Sequence, residues 1–124
     1  MSSEDQSLEQ KIDAIKRELV KLGPLQPGSL SQQYNVCGKA GCRCKADPPQ
    51  KHGPYHQISY TRKGRSSSRF VTRDALPLVK QQLLNYERLR ELVDRWIELS
   101  TKLCANQIDS MKRTRKKEAP STST

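Results

Sequence analysis

The apolar repeat between Val79 and Leu103 constrains the fold more than any other feature of the chain. Val79, Leu83, Tyr86, Leu89, Val93, Trp96, Leu99 and Leu103 recur every three or four residues, the period of one face of an α-helix. Glu87, Arg88, Glu91, Arg95, Glu98 and Lys102 fall on the other face, where Glu91–Arg95 and Glu98–Lys102 attract across one turn. The pattern predicts a helix over 74–108, with Asp74 as N-cap and Pro77 in the first turn. Such a helix is about 50 Å long. A small β segment cannot cover it, so a second helix or a second copy of the chain must lie along its stripe.

Residues 1–23 supply that second helix. Leu8, Ile12, Ile15, Leu19 and Leu22 are spaced four, three, four, three, which is the a/d seam of a coiled coil. Gly23-Pro24 ends it, since proline disfavours helix in the residue before it. The two stripes should pack together, antiparallel within one chain or across a homodimer. Trp96 belongs to that core, and Cys104 is read as an interface or core residue.

Between the helices, residues 28–73 change character. Tyr55–Tyr60 and Arg69–Thr72 are rich in β-formers and flank T-R-K-G-R-S-S-S, which reads as a β-hairpin with a flexible basic tip. His56, Ile58 and Tyr60 would share one strand face, with Tyr55, Gln57 and Ser59 on the other. Residues 109–124 read as a basic, disordered tail ending in a low-complexity run. The expected fold is α+β: an N-terminal helix, a Cys/His knuckle with a β-hairpin, and a long C-terminal helix pairing with the first.

Composition matters at this point. A chain of 124 residues that is 33% hydrophobic can build one thin core, which a metal or oligomerisation would have to supplement. The N-terminus lacks a signal-peptide pattern and no apolar run is long enough to span a bilayer. The expected location is therefore cytoplasmic, without membrane contact, where thiols stay reduced. Cys37, Cys42 and Cys44 lie in C-G-K-A-G-C-R-C, with His52 following in K-H-G-P-Y. Thiolates and imidazole are the ligands zinc prefers, and three Cys with one His close a tetrahedral structural site. His52 is the fourth ligand because it precedes a Gly-Pro turn, and His56 is the substitute. Cysteines two apart point to opposite sides of an extended strand, so Cys42 and Cys44 can share an ion only inside a turn. The competing readings are small buried hydrophobes or reactive thiols.

Charge is segregated. Of the formal net +10, the stretch from Cys37 to Arg73 carries +8, with nine basic residues against Asp47 alone. A second basic cluster, Lys112, Arg113, Arg115, Lys116 and Lys117, follows the long helix. Segregation of this kind points to an anionic partner. Lys39, Arg43, Lys45, Arg62, Lys63, Arg65 and Arg69 are the candidate nucleic-acid contacts, and a two-stranded ribbon can enter a major groove, which ranks DNA before RNA. No paired acids, phosphate loop or nucleophile–base–orienter set stands out. A Cys37–His52 nucleophile is the nearest approach, and a non-enzymatic protein is expected. The alternative is an interaction adaptor whose helices dock a partner enzyme, with no nucleic acid bound.

Gly28-Ser29-Leu30, Tyr34, Cys37-Gly38-Lys39, Cys42-Arg43-Cys44 and His52-Gly53-Pro54-Tyr55 resemble the signature of a bacterial domain family of unknown function. That signature is G-S-L, then Y-x-x-C-G-K-x-x-C-R-C, then H-G-P-Y, a β-hairpin and a long C-terminal helix. The resemblance spans residues 28–103 and is most specific between 34 and 55. It implies that the Cys/His cluster is one unit, with the signature's histidine at His52. It carries no activity with it.

Overall fold

The computed structural model describes residues 2–118. Two helices, α1 (Ser3–Val20) and α2 (Leu76–Glu118), flank three strands: β1 (Ser29–Asn35), β2 (His52–Arg62) and β3 (Arg65–Val71). The fold is α+β, and the strands form one antiparallel sheet in the order β1-β2-β3. The chain divides into two compact units: the N-terminal residues through Leu22 with the chain from Arg88 onward, and Gly23–Glu87. The boundaries expected from the sequence (1–23, 28–73, 74–108, 109–124) treat the long helix as one module, whereas its first turns belong with the sheet.

The first unit is a helical hairpin. Ser2 caps α1, its Oγ accepting from the Asp5 N–H at 3.1 Å, and Glu4 and Asp5 face the positive helix end. Leu8, Ile12 and Ile15 are buried against Leu92, Leu99 and Leu103, with Leu19, Leu22 and Trp96 packed around them. The run is antiparallel: Glu4 meets Lys102 at 3.2 Å near one end, and Glu18 meets Arg88 at 3.2 Å near the other. Asp5 is buried and accepts from Asn106 Nδ2 at 3.0 Å. Lys16 Nζ stands 5.2 Å from the centroid of the half-buried Trp96 ring.

The long stripe needs one correction. Leu92 is the buried residue (4% exposed), while Val93 is 37% exposed. Leu89, Leu92, Trp96, Leu99 and Leu103 keep a three–four alternation that continues facing α1. Leu92→Ala should therefore cost about 2–5 kcal/mol, and Val93→Ala only about 0.5 kcal/mol. Urea denaturation of the two variants checks it, and equal losses would contradict this assignment of faces. The ion pairs along α2 also differ from expectation, forming at i,i+3 as Arg88–Glu91 and Arg95–Glu98.

The boundaries of α2 move at both ends. Asp74 does not cap it. Thr72 precedes a short 3-10 turn, Arg73–Ala75, which leads into the helix at Leu76. Pro77, which has no N–H to satisfy, still falls in the first turn. At the other end the helix continues past Ile108 to Glu118, through residues expected to be a disordered tail. Residues 119–124, also expected to be disordered, lie outside the described residues. Cys104, expected at an interface or in a core, is exposed. No helix among the described residues is long and apolar enough to cross a membrane.

In the second unit, Ile58, Val71 and Val79 are buried together, with Leu30, Leu76 and Leu83 beside them. The hairpin is longer than the sequence suggests. β2 and β3 stay paired from His56↔Val71 out to Arg62↔Arg65, leaving Lys63 and Gly64 as the entire turn. Both have positive φ, 51° and 76°, the backbone a type I′ turn requires. The expected flexible tip is therefore ordered ribbon, with Ser59–Ser68 and Thr61–Ser66 hydroxyl pairs across it at 3.2 and 3.0 Å.

Candidate metal centre

The sheet register builds the site. β1 is an edge strand, and a bulge between Gln33 and Asn35 ends its pairing at Asn35↔His52. Cys37 follows two residues after Asn35, while His52 opens β2. The last β1–β2 pair thus pins both ends of the intervening segment and sets the first and last ligand side by side. Gly53 permits this closeness. Its φ is +139°, and a Cβ there would lie 2.7 Å from the Gln33 carbonyl oxygen and 3.0 Å from the Tyr34 ring, so only glycine fits.

Within the segment, Arg43–Lys45 forms a 3-10 turn, held by Lys45 N–H to Cys42 O at 3.0 Å and Gln50 N–H to Arg43 O at 2.9 Å. That turn rotates Cys42 and Cys44 onto one side. The Sγ atoms of Cys37, Cys42 and Cys44 and a ring nitrogen of His52 all lie within 4.8 Å of one another. Cys37 Sγ is 3.6 Å from Cys44 Sγ, and Cys42 Sγ is 3.1 Å from His52 Nε2. Ligands about 2.3 Å from a tetrahedral ion stand about 3.8 Å apart, so the four atoms can hold a metal ion with small adjustments. His56 lies outside the cluster, in register with Gln32 and Val71.

The electrostatics are uneven. Cys44 is only 1% exposed. Burial pushes its thiol up, the Cys37 N–H at 3.4 Å works against this, and the Cys42 and Cys37 thiols push it further up. The Cys42 thiol is drawn down to about 6, first by the Cys44 backbone N–H, then by the Cys44 and Cys37 thiols, and least by His52. The histidine thus sits against Cys42, not Cys37 as in the nucleophile pairing considered from sequence.

The basic residues divide into two groups. Lys39, Arg43 and Lys45 are exposed on the cysteine segment. Arg62, Arg65 and Arg69 are exposed on the hairpin. Their alternation along β2 and β3 and the Arg62↔Arg65 pairing put all three on one ribbon face, with Lys63 in the turn beyond. The sequence singles out these residues by charge, but their common face follows only from the strand register. Phe70, which is 68% exposed, is not singled out by the sequence. A lone aromatic in a β-rich run gives no sign of which sheet face it takes.

Comparison with curated proteins and with solved structures finds no match. Residues 5–81 do match a family described as a domain of unknown function, DUF6788. The match starts inside α1 and ends in the early turns of α2, so it takes in the whole cysteine segment and sheet. It begins earlier and stops sooner than the 28–103 span of the signature. The chain belongs to this family, the domain of unknown function DUF6788.

Proposed function

We propose that this is a non-enzymatic nucleic-acid-binding protein whose sheet is fastened by one structural zinc ion held by Cys37, Cys42, Cys44 and His52. The convergence of four ligand atoms within 4.8 Å is the observation that carries the metal reading. Three thiolates and an imidazole are a donor set that suits zinc. Cys42 with His52 alone would look like a nucleophile and its base. Two further thiols aimed at the same point favour a closed metal site, which leaves no open position for chemistry. Lys39, Arg43 and Lys45 offset the negative charge of three thiolates.

Charge placement supports the nucleic acid. Nine basic residues oppose one acid between Cys37 and Arg73, and Arg62, Arg65 and Arg69 line one ribbon face. Residues that neutralise phosphates release counterions, so binding should weaken steeply with salt. A mobility-shift titration with duplex DNA, single-stranded DNA and RNA at several salt concentrations tests this. A shift that salt abolishes supports it. No shift at low salt beyond that of an unrelated basic protein leaves the adaptor reading in its place.

A second reading concerns assembly, and α2 favours it. Val93, Ile97, Cys104, Ile108 and Met111 are exposed, forming a stripe beside the one that α1 covers. A second copy running antiparallel, with Cys104 facing its counterpart about a two-fold axis, would set Ile97 against the partner's Met111. It would also bring Asp94 beside the partner's Arg115. That charge match is available to an antiparallel copy and not to a parallel one. Sedimentation velocity should show a dimer that Ile97→Lys dissociates. A wild-type monomer across the accessible concentration range would contradict it.

A further inference from the structure

The sheet has a second face that the basic ribbon does not explain. Residues in register across an antiparallel sheet share a face, so Ser31, Gln33, Tyr55, Gln57, Ser59, Ser68 and Phe70 lie on the side opposite Ile58 and Val71. This side carries no charge. Gln33 Nε2 donates to Gln57 Oε1 at 2.7 Å, and Ser31 Oγ donates to the Gln57 carbonyl at 3.4 Å. Two aromatic rings stand out of this polar carpet: Phe70 is 68% exposed and Tyr55 42%. Phe70 is directly across from Gln57, which makes Tyr55 its diagonal neighbour, within reach of a ring. Together with Asn35, Thr72 and Arg73 they line a shallow cleft of about 630 Å³ at the end of the sheet.

A single exposed apolar side chain is ordinary, but Phe70 and Tyr55 are neighbours on one face and line one cleft, and contiguous exposed apolar surface marks a binding site. The surroundings narrow the ligand. Arg73 edges the cleft, and Asp47 is the sole acid from Cys37 to Arg73. An apolar peptide would gain little from that positive field, whereas an anionic chain that also offers flat apolar faces would use both features. Unpaired nucleotides have this composition: the base stacks on an aromatic side chain and the phosphate meets arginine.

We infer that Tyr55 and Phe70 form a stacking subsite for an unpaired nucleobase, with Arg73 placed for the adjoining phosphate and the uncharged amides and hydroxyls of the same face beside the base edge. The inference rests on the nucleic-acid reading above and narrows it to single strands, or to loops and ends with splayed bases. It departs from groove entry by the ribbon, because bases inside a duplex cannot lie on a sheet face.

The test measures binding of a labelled single-stranded oligonucleotide and of the corresponding duplex, by anisotropy over a salt series, to the full-length protein. Phe70→Ala is expected to weaken single-strand binding about tenfold with an unchanged salt slope and unchanged duplex binding. Tyr55→Ala should act in the same direction, and Phe70→Tyr should restore binding. Phe70 is exposed, so the fold should persist, and amide spectra of each variant confirm it. If wild type binds with a steep salt slope and Phe70→Ala binds equally well, the stacking subsite is overturned while the basic ribbon stands. Equal weakening toward single strand and duplex overturns it too. If wild type binds no nucleic acid, both readings fall.

Discussion

Stripping the metal is expected to unfold the Gly23–Glu87 unit while leaving the α1–α2 hairpin helical. Ile58, Val71 and Val79 are the buried apolar residues of that unit besides Cys44. Burial of such a side chain stabilises by about 1.5–3 kcal/mol, while fixing each residue of backbone costs about 1–2 kcal/mol. The fifteen residues from Cys37 to Lys51 contain no strand and one short 3-10 turn, so little besides the metal orders them. Structural zinc can supply about 10 kcal/mol. The helical hairpin has its own core of Leu8, Ile12, Ile15, Leu92, Leu99 and Leu103 and needs no ion. Chelator added during amide-resolved NMR should collapse the dispersed strand resonances and retain those of α1. Retention of the sheet resonances in chelator would contradict this.

The other large effect is on binding. Replacing Arg62, Lys63 and Arg65 together by alanine removes the charge at the ribbon end. Each phosphate contact on a single strand contributes about 0.7 to the slope of log affinity against log salt, so three account for about 100-fold between ~1 M and ~0.1 M. The triple variant should bind a single strand with a slope shallower by about two and lose most of that low-salt advantage. Because all three residues are exposed, thermal stability should be unchanged. A variant with the wild-type slope would place the contacts elsewhere. Loss of stability in parallel with affinity would make the effect structural.

The helices were legible because their apolar residues keep a strict period, and the core of the hairpin follows from Leu8–Leu22 and Val79–Leu103. The slip from Leu92 to Val93 arose where two adjacent apolar residues both satisfy a loose three-or-four spacing, and only strict alternation separates them. β1 was invisible because S-L-S-Q-Q-Y-N offers one inward apolar residue, Leu30, on an edge strand. Its pairing with β2 supplies what its composition lacks. The cysteines and His52 could be grouped from ligand chemistry, but the Asn35↔His52 register that closes the loop is a long-range pairing with no local signal. The hairpin turn was hidden by its neighbours: Lys63-Gly64 sits among serines that read as loop, yet those serines pair across the ribbon. Beyond Ile108 the charge run suggested a tail, although M-K-R-T-R-K-K consists largely of good helix formers, and Ile108 and Met111 continue the helical spacing from Cys104.

Native mass spectrometry of protein purified without chelator should show a chain carrying one zinc ion, with Cys37, Cys42 and Cys44 protected from alkylation until the zinc is removed. The ion should be lost on Cys44→Ser or His52→Ala and kept on His56→Ala. A metal-free chain whose sheet is folded and whose three thiols all react freely would contradict this.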